Sequence, residues 1–138
     1  MHTSPSRCVH ILTCLSLFQE WFYQHRGGMV LRVVDGTEFR DIHIEEGDMF
    51  LLPGNTPHNP VRFADTVGIV IERIRPPGAI DRLRWYCRSK AHDTPTIIRE
   101  DAFHCTDLGT QLKPIIQNWQ ANESFRKCGE CGQVADAK

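Results

Sequence analysis

The 138-residue chain has room for one compact domain and a tail. Its 16 Lys+Arg and 17 Asp+Glu leave a net charge of −1, which gives no electrostatic footprint for nucleic acid or an anionic membrane. A hydrophobic fraction of 41% is enough for a core, and no apolar run reaches the ~18 residues of a membrane-spanning helix.

Residues 1–19 differ in texture from the rest. Arg7 precedes an apolar stretch over 9–18, which can pass for a short signal peptide. No small-x-small cleavage pattern follows it, and cleavage after Phe18 or Gln19 would cut into a strand. From Glu20 the pattern is regular. Residues 21–24 read as a strand ended by Gly27-Gly28, and 29–34 as a second ended by Asp35-Gly36, a hairpin dipeptide. Residues 37–44 alternate polar and apolar, then break over 45–48. Residues 49–52 are short and apolar and stop at Pro53-Gly54. Residues 58–63 are extended, as the prolines require. A Val/Ile strand over 66–73 closes at Pro76-Pro77-Gly78, and 80–87 is another. About seven strands at ~8–12-residue spacing predict an all-β fold, a jelly-roll-like double sheet.

After Cys87 the pattern changes. Residues 88–95 are polar and loop-like. Leu108, Leu112, Ile115, Ile116 and Trp119 recur at helical spacing, with Thr106-Asp107 as cap. Pro114 lies inside, so the helix is kinked there or begins near it. Residues 127–138 form a Cys/Gly tail. The chain thus divides into an atypical segment over 1–19, a barrel core over 20–87, and an extension over 88–138 with the helix and the tail.

Several residues can carry chemistry. Glu20 opens a strand, and His58 follows the strand that stops at Pro53. A carboxylate and an imidazole on neighbouring strands can share one metal, as in a facial 2-His-1-carboxylate Fe(II) site. The alternative is a solvated Glu and a loop His. Arg62, four residues after His58, falls on the same face of an extended segment and can pair with an anionic substrate. Glu72 ends an apolar run and either points into the cavity or marks a charged strand end beside Arg73. His25 and His43 read as structural or exposed. Cys128 and Cys131 have the spacing of a sulfur knuckle, with Gly132 after the second. Two further ligands are needed. Cys87 and Cys105 are the first candidates, with His92 and His104 behind them; the alternative is reduced, unliganded thiols.

From Glu20 to about Asp136 the sequence resembles the 3-hydroxyanthranilate 3,4-dioxygenases, cupin-fold enzymes, in their fungal form. The text that carries the resemblance is Glu20-Trp21-Phe22-Tyr23-Gln24, LRVVDG over 31–36, EGDMFLLPGNTPHNPVRFAD over 46–65, RLRWYC over 82–87 and HCTDLGTQLKP over 104–114. It implies a cupin-type jelly-roll β-barrel with a short C-terminal helix and a Cys-rich tail. It also implies a non-haem Fe(II) cofactor and cleavage of 3-hydroxyanthranilate by O₂ to 2-amino-3-carboxymuconate semialdehyde, which cyclises to quinolinate on the way to NAD. By resemblance Glu20 and His58 are iron ligands, Arg62 pairs with the substrate carboxylate, and Glu72 contacts the ring's polar groups. The tail with Cys87, Cys105, Cys128 and Cys131 is similar to the family's rubredoxin-like second site, although Lys90 stands where a paired cysteine would follow Cys87. A cytoplasmic setting, no nucleic-acid or membrane partner, and room for a homodimer complete the expectation.

The front of the chain departs from the family. A His ligand is implied six residues before Glu20 and an Arg ten before it; here Cys14 and His10 stand at those positions. The segment around His10 lacks a strand pattern, and the leading strands are expected to be missing. The change between Gln19 and Glu20 is the pattern of an N-terminally truncated or misspliced chain, expected to turn over negligibly and to dissolve poorly. Two alternatives stand beside the dioxygenase: a catalytically impaired cupin that binds an aromatic acid, and a small metal-binding module built on the tail.

Overall fold

The computed structural model describes residues 10–137, with side chains from residue 16 onward. Arg7 and the start of the apolar leader-like stretch lie outside the described residues. Nine strands and two helices follow in order: β1 (His10–Leu15), β2 (Glu20–Arg26), β3 (Met29–Asp35), β4 (Glu38–Ile44), β5 (Met49–Leu52), β6 (His58–Arg62), β7 (Val67–Glu72), β8 (Asp81–Cys87), β9 (Thr96–Phe103), α1 (Leu108–Ala121) and α2 (Glu123–Arg126). The strands form a six-stranded sheet, β4-β3-β6-β1-β8-β9, and a three-stranded sheet, β5-β2-β7. Every pairing is antiparallel.

Alternation builds the core. Met29, Leu31 and Val33 project from one face of β3 and meet Phe22, Ile44 and Leu52 between the sheets. Strands read this way because period-two alternation buries one face. The β3–β4 hairpin turns on Gly36 and Thr37, one position later than the Asp35-Gly36 dipeptide, since Asp35 still pairs with Glu38. Gly36 has a φ of 59°, which a side chain would resist.

Two strands escape the sequence pattern. β1 pairs with β8 from His10↔Cys87 to Leu15↔Arg82, and with β6 at Cys14↔His58. The segment around His10 is therefore a central strand of the larger sheet, contrary to expectation. Its apolar run hid this, because a strand inside a sheet reads like a leader's hydrophobic stretch. β9 shows no strand pattern in the sequence because Arg99, Glu100 and Asp101 fill its middle. Glu100 there bonds Arg82 and Arg84 on β8, so the charges serve an outer strand. The barrel strands thus reach beyond residues 20–87 on both sides.

α1 begins at Leu108, where Asp107 accepts a hydrogen bond from Gly109 N at 2.9 Å. It runs through Pro114 rather than starting there. Its apolar stripe of Leu112, Ile115, Ile116 and Trp119 packs with Leu83, Trp85 and Ala135 in a second core. Trp85 and Trp119 stack with centroids 4.8 Å apart and planes 14° from parallel. The outer face of the smaller sheet stays open. Rows Leu51–Trp21–Ile71 and Met49–Tyr23–Ile69 line up across it, and Met49, Leu51, Ile69 and Ile71 are exposed.

Trp119 is 1% exposed. Trp119→Ala is expected to destabilise the fold by ~3–5 kcal/mol, read by denaturant unfolding. A change below about 1 kcal/mol would mean that α1 does not depend on this stack.

Candidate active site and metal centre

The two sheets bring one side chain each to a common point. Glu20 is the first residue of β2, the middle strand of the smaller sheet, and His58 the first of β6 in the larger one. Glu20 Oε2 and His58 Nε2 are 3.2 Å apart, with side chains 10% and 4% exposed. His58 Nδ1 lies 2.9 Å from the carbonyl of Thr56. A carbonyl only accepts, so Nδ1 carries the proton and the ring is oriented by it. Phe22 stands edge-on to the imidazole, with centroids 6.3 Å apart.

Burial works against a charged His58, but the hydrogen bond and charge of Glu20, the Thr56 carbonyl and the charge of Glu72 outweigh it, and its pKa is raised above the ordinary value. The proton on Nε2 sits where a cation shared with Glu20 would sit. Metal and proton therefore compete for the same lone pair.

Glu72 stands beside this pair, and Arg62 lies four residues further along β6 from His58. Glu72 is the β7 partner of Glu20 in register, so both project from one face of the smaller sheet. Its carboxylate bonds Arg75 at 3.1 Å. Glu72 thus shares a face with Glu20 while its carboxylate is held at the strand end by Arg75. On β6, Arg62 shares the face of His58, and its Nη1 comes within 3.0 Å of where a Cβ on Gly68 would stand. The buried Gln24 side chain crowds the same point. Gly68 thus makes room for both. A glycine within the Val67–Glu72 run is the sequence signal of such a close approach. His25 and His43 are exposed, as expected.

A facial triad needs a third protein donor. Among the described side chains, the only group of three or more His, Cys, Asp or Glu ligand atoms lies elsewhere. Glu20 and His58 supply two donors of a 2-His-1-carboxylate set, so an iron of that type fits this chain in part. The backbone of Cys14 stands opposite His58 on β1. The departure from the family pattern at this point is one of residue type, since the strand is in place.

The second cluster lies at the far end of β8. Ligand atoms of Cys87, His92, Cys128 and Cys131 all fall within 4.8 Å of one another. The Cys87 and Cys131 sulfurs are 3.8 Å apart, and Cys128 Sγ is 3.5 Å from His92 Nε2. A tetrahedron with ~2.3 Å metal–sulfur bonds has edges of about 3.8 Å, so the four donors fit one ion. Gly132, with a φ of 72°, turns the chain so that its N–H donates to the Cys128 carbonyl at 3.0 Å. The backbone N–H of Gln133 pulls the Cys131 thiol down most; burial opposes it, Cys128, His92 and Cys87 assist, and its pKa falls to about 7. His92 Nδ1 faces Glu130 at 3.4 Å, the outer partner a ligating imidazole uses.

Cys105 is not in this cluster. It lines a cleft with Glu72, Arg75, His104 and Asp107, where burial pushes its thiol up against the opposing pull of Arg75. In place of Cys105, His92, five residues past Cys87, reaches the knuckle across the loop before β9. His104 is committed to the Ala79 carbonyl at 2.7 Å.

A two-sheet β-barrel with a buried carboxylate–imidazole pair inside and a Cys₃His cluster at one end defines a cupin-type metalloprotein. The family model for 3-hydroxyanthranilic acid dioxygenase matches residues 14–120, and the chain belongs to that family. The match starts at residue 14, ahead of the change in texture at Glu20. The 3-hydroxyanthranilate 3,4-dioxygenase 2 of Aspergillus clavatus is 67% identical over 120 residues, covering 87% of this chain and 63% of that protein. The protein of the same name from Aspergillus oryzae is 64% identical over 121 residues, 87% of this chain and 68% of its own length. The 3-hydroxyanthranilate 3,4-dioxygenase of Pyricularia oryzae is 62% identical over 117 residues, 85% and 64%. The chain therefore spans about two thirds of the length of these relatives.

Two predictions follow from the geometry. His58→Ala is expected to remove the ion held at Glu20, whereas His43→Ala leaves it; equal metal content in the two variants would contradict the site. His92→Ala is expected to remove the ion at the cysteine cluster, whereas Cys105→Ala keeps it, both read by elemental analysis of the purified protein.

The metal-free protein should also show His58 in its pH dependence. The folded pKa is raised, so this contribution to stability is full below the unfolded value of about 6.5 and is lost as pH rises through the folded one. His58→Gln is expected to flatten that slope in unfolding experiments. A slope unchanged by the substitution would place the titration elsewhere.

Proposed function

We propose that the site serves ring cleavage of 3-hydroxyanthranilate by O₂ at a non-haem Fe(II), giving 2-amino-3-carboxymuconate semialdehyde for quinolinate and NAD synthesis. The observation that carries this reading is the convergence of Glu20 and His58 between the sheets, at the positions that the family resemblance gives to iron ligands. Glu20 and His58 would hold the iron. When bound, it supplies the redox coupling between an electron-rich ring and O₂ that side chains lack.

The chain's own residues bind and orient. Arg62, free of any ion pair among the described residues, offers its guanidinium to the substrate carboxylate. Glu72, with acceptor oxygens only, faces the amino and hydroxyl donors of the ring. Fixing the ring at two points turns an encounter into a local reaction. The Cys₃His cluster is proposed to hold a structural ion, tying residues 128–131 to the end of β8 and to the loop carrying His92. The four cysteines among the described residues form no disulfide, which fits a reducing, cytoplasmic setting.

A second reading rests on the donor count. With two protein ligands in place of three, a cupin can keep its fold and bind the aromatic acid without turning it over. Oxygen uptake separates the two. The dioxygenase reading expects uptake with 3-hydroxyanthranilate that needs added Fe(II) in excess and falls on dialysis, because two donors hold iron weakly. A ligand-dependent rise in melting temperature without uptake supports the impaired cupin. Stability that follows metal at the cysteine cluster alone, with no response to 3-hydroxyanthranilate, would contradict both.

Arg62→Ala is expected to weaken 3-hydroxyanthranilate binding by ~1.5–3 kcal/mol, the range for a charge-assisted pair. Calorimetry on the full chain checks this. Unchanged affinity in the folded variant would remove Arg62 from the site.

A further inference from the structure

Glu72 would be a poor anchor on its own. It ends β7, its side chain is 29% exposed, and its strand partner Glu20 is another carboxylate. Two neighbouring carboxylates facing one cavity repel, and both are good ligands for a hard cation. A site that uses Glu20 for metal and Glu72 for substrate needs something to keep the two apart.

Arg75 lies in the loop between β7 and β8, which crosses from the smaller sheet to the larger. Its Nη2 bonds Glu72 Oε2 at 3.1 Å, and its Nε bonds Asp81 Oδ2. Its side chain is 12% exposed and that of Asp81 1%. Asp81 is the first residue of β8 and is paired in register with Phe103 of β9. The guanidinium is thus anchored to the rigid sheet by one edge and holds Glu72 by another. A planar fork spans two carboxylates in a fixed geometry that a single ammonium does not reproduce. Burial opposes the charge on Arg75, but the hydrogen bonds and charges of Glu72 and Asp81 outweigh it and raise its pKa.

We propose that Arg75 is a positioning residue: anchored by buried Asp81, it holds the Glu72 carboxylate toward the ring's amino and hydroxyl groups and away from the metal shared by Glu20 and His58. This rests on the reading of the site as a 3-hydroxyanthranilate pocket. Arg75 touches no substrate itself; it acts through Glu72. The loop between the sheets thereby joins the binding site, since the fork fixes the end of β7 to the start of β8.

A double-mutant cycle tests this on the full chain, with 3-hydroxyanthranilate binding measured by calorimetry and folding by melting temperature. Arg75→Lys keeps a cation beside buried Asp81 and loses the fork. It is expected to weaken binding about tenfold in the wild-type background and less than about twofold in the Glu72→Gln background, because a residue acting through Glu72 is silent once Glu72 is changed. Arg75→Gln with Asp81→Asn removes both charges together, leaves no lone buried carboxylate, and is expected to give the same pattern. A purely structural Arg75 would weaken binding equally in both backgrounds, and that result overturns the proposal. So does unchanged affinity in folded Arg75→Lys when Glu72→Gln weakens binding. A wild-type chain that binds no 3-hydroxyanthranilate overturns the underlying reading, and the proposal with it.

Discussion

A carboxylate and an imidazole meet at 3.2 Å between two β-sheets, almost wholly out of water. Neither group is stable there alone. Removing one partner of a buried pair commonly costs ~3–5 kcal/mol, because the other is left uncompensated. The fold therefore has to present Glu20 and His58 to each other, and much of its architecture serves that end. β2 is held between β5 and β7, so Glu20 cannot drift along the sheet. β6 is held between β3 and β1, with Val33 and Cys14 in register on either side of His58. The Thr56 carbonyl then fixes the ring. The pair is a proton-bridged contact without metal and a ready donor pair with it.

Around this pair the structure distributes charge by connection to rigid elements. Arg62 extends over Gly68, whose missing side chain leaves it space. Glu72 is tied through Arg75 to Asp81. At the other end of β8, the Cys₃His cluster joins Cys87 to the tail, whose Ala135 packs with Trp119 of α1 in the second core. β8 thus begins at Asp81, the anchor of Arg75, and ends at the Cys₃His cluster. The two sites are mechanically linked by one strand although their chemistry is separate.

The barrel was legible in the sequence wherever one face of a strand is buried and a turn residue follows. β2 to β5 met that condition; β6 to β8 were legible as short apolar or extended runs, and α1 as an apolar stripe at helical spacing. β1 and β9 were not legible. β1 has neighbours on both edges and reads as a plain apolar run; β9 carries its charges where alternation would have revealed it. Glu20, His58, Arg62 and Glu72 were legible as residue types at strand positions, but only the register shows that Glu20 and Glu72 face the same space. His92 is less legible than Cys105 because a position five residues after Cys87 is no sulfur knuckle, and the loop that folds it back leaves no pattern. Arg75 was invisible, since a fork between two carboxylates that are nine residues apart depends on tertiary placement alone.

The central claim is that Glu20 and His58 share a metal ion. Anomalous diffraction at the cobalt edge from Co(II)-loaded crystals tests it directly. The account predicts a peak ~2.0–2.2 Å from both Glu20 Oε2 and His58 Nε2, in addition to any at the cysteine cluster. Cobalt confined to Cys87, His92, Cys128 and Cys131, with Glu20 and His58 still hydrogen-bonded to each other, would contradict it.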